Sequence, residues 1–214
     1  MPTGRAPEPA VLRLSIYLRC LRQAQAEGIT TLSSAGIEKR TGITAGQVRK
    51  DLSHFGEFGK PGLGYSVDSL TARLIQIMNL NETHKVVIAG AGNLGAALAG
   101  YEGFRSGAFS LAAIFDNNLA KIGRRLWDLE IIDISEMPKF CKEANVEIGI
   151  ITAPANAAQE IADTMAEGGI RAILNFSPTR ILGQKGVVVR NVDLTKELEV
   201  LCFYLPASKP AGDA

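Results

Sequence analysis

"VVIAGAGNLGAALAGY", residues 86–101, decides how the rest of the chain is read. A β-branched run over Lys85–Ala89 feeds a full GxGxxG, Gly90-Ala91-Gly92-Asn93-Leu94-Gly95, and the small residues Ala96, Ala97 and Ala99 follow. The pattern reads as strand, tight turn and helix, the opening of a dinucleotide-binding unit. Gly90 permits the turn, Gly92 lets the backbone approach a pyrophosphate, and Gly95 lets the helix sit close to its strand. The helix N-terminus then offers unpaired N–H groups and the positive end of its dipole to phosphate oxygens. A GxGxxG by itself is a weak signal, so its surroundings carry the weight.

Outward from the turn, a second strand, Ser110–Phe115, ends in Asp116, 21 residues beyond Gly95. A carboxylate there accepts hydrogen bonds from ribose hydroxyls and repels a 2′-phosphate, which favours NAD(H) over NADP(H). Arg124 and Arg125 count the other way. Further strands are expected over 129–134, 146–152, 171–176 and 186–192, with a weakly helical stretch at 135–144 and an amphipathic one at Ala155–Glu167. Strands alternating with helices predict a Rossmann-like, doubly wound parallel sheet. Its ligands sit beyond the carboxyl ends of the strands, beside Thr152, Ala153, Pro154, Asn175, Phe176 and Ser177. Pro154 and Pro178 serve equally well as plain turn residues.

After the last of these strands only Leu194–Leu205, "LTKELEVLCFYL", has an amphipathic pattern. Hydride transfer normally needs an acid–base group beside the nicotinamide. Of the two histidines, His84 precedes the first strand and His54 lies in the first third, so neither is placed at the carboxyl ends of the strands. A cofactor that acts as a signal, without catalysis, is the more economical expectation. The alternative is a small NAD-dependent oxidoreductase with an N-terminal interaction module.

The first third has a different pattern. Leu12, Ile16, Arg19 and Cys20 share helical spacing, Val11, Leu14, Leu18 and Leu21 fill the neighbouring stripe, and Gly28 is a natural stop. Ser33 or Ser34 can cap a short second helix that Gly42 ends. "ITAGQVRKDLSHFG", residues 43–56, carries Thr44 with Gln47 three places on, a capping box. Its Val48, Leu52 and Phe55 share one face, while Arg49, Lys50 and Ser53 point elsewhere. Three short helices with a glycine turn before the third fit helix-turn-helix geometry, in which the early residues of the last helix face base edges. Arg with guanine and Gln with adenine are the pairings that geometry favours. "FGKPGLGYSV", residues 58–67, reads as the glycine-rich hairpin of a winged helix, with Lys60 at its tip and Gly62 and Gly64 in its turn. Residues 68–80 read as a linker helix. The competing reading is a three-helix protein-interaction domain with a solvated charged face.

Composition supports two units. The 214 residues are 46% apolar and 21% charged with a net charge of +1, yet residues 1–80 carry +4 and residues 81–214 carry −3. A basic first third on a mildly acidic remainder suggests different partners. The expected boundaries are a disordered lead-in at 1–9, a DNA-binding domain at 10–80, a nucleotide-binding domain at 81–193, a helix at 194–206 and a tail at 207–214. No run is long enough for a membrane span and no secretory signal is evident. Cys20, Cys141 and Cys202 are scattered, with no metal-ligand spacing, as in a reduced cytoplasmic protein.

With these pieces placed, the chain resembles the Rex family of redox-sensing transcriptional repressors. The resemblance rests on residues 45–65, 90–104, 115–123, 154–163, 173–178 and 189–201, which follow the family order. It implies a homodimer, with a C-terminal helix swapped between subunits, that binds a palindromic operator when NAD⁺ predominates and leaves it when NADH rises. It also marks Tyr101 near the nicotinamide, Asp193 after the last strand and Arg19 on the first helix. Asp193 is then expected to meet Arg19 in the DNA-binding form and Tyr101 in the NADH form, or else each is an ordinary surface pair. Ser15 stands where the family often has proline, and His54 where it usually has tyrosine. Both departures, and His54 as a DNA-facing residue, bear on operator preference.

Overall fold

The computed structural model describes residues 6–59, 63–104 and 107–205. The chain divides between Glu82 and Thr83 into two units, each with its own core.

In the first unit, helix α1 spans Glu8–Ala26, α2 Ser34–Thr41, α3 Ala45–Ser53 and α4 Val67–Ile77. Pro7 caps α1, so the helix starts inside the stretch expected to be disordered. Leu14, Tyr17 and Leu21 of α1 are fully buried with Ile37, Val48, Leu52, Leu70 and Leu74. Burial of each such side chain contributes about 1.5–3 kcal/mol. The helix read over residues 68–80 forms as α4, and its Val67, Leu70 and Leu74 also close the core of this unit against α1. Leu12 and Ile16 are exposed, as is Val11 of the neighbouring stripe, while Leu14, Leu18, Cys20 and Leu21 are buried in the core.

Ser33 caps α2 by accepting from the Gly36 N–H at 3.0 Å. Gly42 ends that helix at φ 74°, a left-handed turn that brings Thr44 into place as the cap of α3. The Thr44 hydroxyl accepts from the Gln47 N–H, but the reciprocal half of the capping box does not form: Gln47 donates to Asp51 instead. Strand β2, Tyr65–Ser66, pairs antiparallel with β1, Thr31–Leu32. The wing thus hangs on the strand that precedes α2. Lys60, Pro61 and Gly62 lie outside the described residues.

The second unit is a seven-stranded sheet in the order β5-β6-β4-β3-β7-β8-β9. Its strands are β3 His84–Ala89, β4 Phe109–Asp116, β5 Arg125–Leu126, β6 Leu129–Asp133, β7 Ile148–Ile151, β8 Ala172–Asn175 and β9 Val188–Asn191. All pairings are parallel except that of the edge strand β5 with β6, a two-residue hairpin turning at Trp127 and Asp128 that the sequence reading did not anticipate. Helices α5 (Asn93–Ala99), α6 (Met137–Ala144), α7 (Ala155–Glu167) and α8 (Leu194–Phe203) complete the unit. Strand alternation sorts the core into two layers. Val87, Ala89, Phe115 and Ile151 pack with Met137 and Cys141 of α6 and Ala158, Ala162 and Met165 of α7. Val86, Ile88, Ile114 and Ile150 pack on the other face with Ala99 of α5. The sheet is doubly wound, and its strand order reverses between β3 and β7, which places the crevice at the ends of those two strands. None of the described helices is long and apolar enough to cross a membrane.

Candidate cofactor cavity and nucleic-acid interface

A cavity of about 750 Å³ opens at that reversal point. Gly90 and Gly92 line it together with Asp116, Thr152, Pro154 and Phe176, six of the residues expected to hold a cofactor. Gly90 is at φ 110°, and a Cβ there would lie 2.9 Å from the Thr152 hydroxyl. That hydroxyl donates to the Gly90 carbonyl at 2.8 Å, clasping the glycine turn to the end of β7. A Cβ on Gly95 would overlap the Gly90 carbonyl oxygen, so Gly95 serves helix–strand packing rather than lining. A Cβ on Gly92, by contrast, would meet nothing within 4 Å. The backbone is bare where a pyrophosphate would need to approach, and α5 begins there with no side-chain cap on its N–H groups.

Asp116 is buried, and its carboxylate accepts from the Ala91 N–H at 2.8 Å, the Asn118 N–H at 2.8 Å and the Lys121 ammonium at 2.9 Å. Burial works against its charge, but Lys121 and the two N–H groups outweigh that and hold the carboxyl below its ordinary value. The Ala91 bond also ties the carboxylate to the glycine turn. Ala91 thus acts through its backbone, and Asn93 and Leu94 are exposed beside the cavity rather than in its wall.

Two other residues expected at the cofactor, Asn175 and Tyr101, lie outside the lining of this cavity. Asn175 is fully buried and does not line the cavity. Its amide nitrogen donates to the Thr179 carbonyl and the Asn191 Oδ1, both at 2.8 Å, and its oxygen accepts from the Ser177 N–H. It is the brace of the loop that presents Phe176. Tyr101 lies outside the lining as well, 59% exposed and packed edge-on against Phe104. Sequence reasoning missed Lys121, Ser135 and Glu160, which do line the cavity. Lys121 was within reach, five residues past the acidic strand end, whereas Glu160 comes from α7 and carries no local signal.

In the first unit, α3 exposes Thr44, Arg49, Lys50, Ser53 and His54. Their side chains are not equally available. The Thr44 hydroxyl is the helix cap, Ser53 donates back to the Lys50 carbonyl, and Arg49 Nη1 donates to the Ser34 hydroxyl at 2.9 Å. The Lys50 ammonium has no partner among the described residues. A second concavity, about 630 Å³, is lined by Ser34, Arg49, Ser53, Gly59, Gly64 and Tyr65 beside this helix. Gly64 stands at φ 80°, where a Cβ would press on the Leu32 carbonyl at 2.9 Å, so the close approach of this segment to β1 needs a glycine. Asp193 caps α8, accepting from the Thr195 and Lys196 N–H groups through Oδ1. Its other oxygen, the Arg19 guanidinium and the Tyr101 hydroxyl have no partner among the described residues.

A helical unit presenting a cationic third helix, joined to a doubly wound unit with a glycine-floored cavity, defines the class of nucleotide-responsive DNA-binding proteins. Residues 5–53 match the family described as "Putative DNA-binding protein N-terminus", and residues 81–179 the one described as "CoA binding domain". The redox-sensing transcriptional repressor Rex of Carboxydothermus hydrogenoformans is 47% identical over 201 residues, covering 94% of this chain and 97% of the relative. That of Desulforamulus reducens is 46% identical, covering 96% and 98%. Among solved structures, RSP in complex with beta-NAD+ and operator DNA superposes with a TM-score of 0.89 at 34% identity, covering 94% of this chain and 93% of that one. RSP in complex with beta-NADH superposes at 0.85 and 33% identity, covering 94% and 95%. The chain belongs to the Rex family of redox-sensing transcriptional repressors.

Proposed function

We propose that this protein is a homodimeric repressor that holds a palindromic operator and is released from it when NADH binds. One observation carries this reading: a single chain joins the bare glycine cavity to a cationic recognition helix, and Rex repressors match it across both. The cavity fits the cofactor. Its volume is that of a small-molecule site, Gly90 and Gly92 leave room for the pyrophosphate, Asp116 offers the ribose a carboxylate, and Thr152, Pro154 and Phe176 wall the strand ends where the nicotinamide would lie. The nicotinamide couple supplies a difference of one charge and of ring planarity. The protein converts it into different affinities for two conformations.

Carrying repression from nearly complete to nearly absent takes about 5.5 kcal/mol of such discrimination, and two cofactor sites in a dimer share it. Coupling is reciprocal, so operator DNA weakens NADH binding by the same factor. Asp193 exchanges partners between Arg19 and Tyr101 as the state changes, which their unpaired polar ends allow. Support for the dimer comes from α8, none of whose residues is buried: Leu198, Leu201 and Phe203 are 63%, 60% and 84% exposed. Such a stripe calls for a cover, and a second copy supplies it symmetrically. The recognition helices of the pair would then match half-sites about one helical turn apart or a multiple of it. A reader of operator DNA works where the chromosome lies, and we assign it to the cytoplasm.

The test is a gel shift of the operator duplex against an NADH series with an NAD⁺ control. Release by NADH at levels where NAD⁺ leaves the complex intact is expected; equal retention with both overturns the reading. Turnover of NADH with small carbonyl compounds would favour the oxidoreductase alternative.

A further inference from the structure

We propose that Asp51 is a positioning residue that aims the Gln47 carboxamide at a base edge of the operator. The proposal rests on the reading of α3 as the DNA-facing helix.

Asp51 is the most buried acid of the first unit, 1% exposed, on the side of α3 that meets α1. Four donors converge on its carboxylate. Arg13 donates through Nε at 2.5 Å and Nη2 at 2.7 Å, the buried Tyr17 hydroxyl donates at 2.7 Å, and Gln47 Nε2 donates at 2.6 Å. Arg13 and Tyr17 both come from α1, so this is a polar rivet in an otherwise apolar helix contact. Gln47 stands one turn before Asp51 on α3, the spacing at which side chains meet on a helix face.

An ionised carboxylate can only accept. Gln47 must therefore turn its NH₂ group, and not its carbonyl, toward Asp51, which removes the two-fold ambiguity a free carboxamide has. One amide hydrogen is used. The second hydrogen and Oε1 remain as an adjacent donor and acceptor, the pair that adenine N7 and N6 require in the major groove. Gln47 is the third residue of α3, half-exposed, where the early residues of a recognition helix reach base edges. The carboxamide is thus held in a reading orientation before DNA arrives, and less freedom is lost on binding.

The test uses the full-length dimer and duplexes selected from a randomised pool, followed by gel shifts on the consensus and on every single base-pair change in one half-site. Gln47→Ala and Asp51→Asn are each expected to lose discrimination at the same A·T position, by roughly tenfold or more, and the double variant is expected to lose no more than either. NADH affinity, measured on the same proteins, stays unchanged. If Asp51→Asn does not fold by thermal scan, Asp51→Glu, which keeps the charge but displaces it by a methylene, carries the same expectation. A uniform loss across all duplexes, loss at a position Gln47→Ala leaves intact, or full discrimination in either variant overturns the proposal. Failure of the wild type itself to bind duplex or to respond to NADH would instead overturn the reading of the protein as a redox-sensing repressor.

Discussion

The Lys121 ammonium lies 2.9 Å from the Asp116 carboxylate, and both side chains line the cavity. The acid that would receive the adenosine ribose is therefore already paired, and its repulsion of a 2′-phosphate is softened by the cation beside it. Asp116→Ala is expected to weaken NADH binding and to narrow the preference over NADPH by about tenfold, since Lys121 is then free to meet a phosphate. Parallel titrations with the two cofactors check this. The pH dependence follows from the same pair. Because the folded carboxyl is held below its unfolded value of about 4, the stability it contributes is complete above that pH and is lost as pH falls through the folded value. Acid unfolding should show this loss in the wild type and its absence in Asp116→Ala.

Gly92 and Gly95 separate binding from folding. Gly92 has ordinary negative φ and open space around it, so Gly92→Val should fold with a wild-type melting temperature yet fail to release operator when NADH is added. Gly95→Ala collides with the Gly90 carbonyl, and overpacking of this kind costs about 1–3 kcal/mol. A thermal scan of the two variants should place the loss of stability in Gly95→Ala alone.

Lys50 and Arg49 are both expected to be needed for the operator, with NADH affinity intact in each alanine variant. Lys50→Ala removes an unpaired cation and should reduce the slope of log affinity against log salt by about one. Arg49→Ala also releases Ser34 from its hydrogen bond, so its loss includes the placing of the α2 N-terminus. Gel shifts at several salt concentrations distinguish the two; normal operator binding by both would remove α3 from the interface.

If a second copy covers the stripe on α8, as proposed, charge there separates the two copies. Leu198→Asp combined with Leu201→Asp should sediment as a monomer at micromolar concentration. Its operator affinity should drop by roughly a hundredfold or more, since a lone subunit reaches one half-site.

Much of this molecule is legible locally. The glycine turn, the strand ending in Asp116, the α7 boundaries and the cap at Thr44 depend on backbone sterics and short spacings, which a sequence displays directly. The two units and their chemistry follow from those, and the family resemblance at residues 45–65 and 90–104 covers both.

What the linear pattern could not display is which of several eligible partners a polar group takes. Local spacing suits Gln47 equally to close a capping box, to read adenine or to meet Asp51 one turn on. The packing of α1, which sets Arg13 and Tyr17 on Asp51, goes with the last of these. Asn175 sits at a strand end, as a cofactor contact would, but the course of the following loop buries it. The same holds for the wing, whose strand pairs with Thr31–Leu32 across more than thirty residues of chain, and for Lys121, which needed the turn after Asp116 to point back. Hydrophobic periodicity and backbone geometry act over a few residues, so the chain's own order determines them. Hydrogen-bond choice in a buried or crowded place is settled by competition between donors from distant segments, and that is decided only once the helices and strands have met.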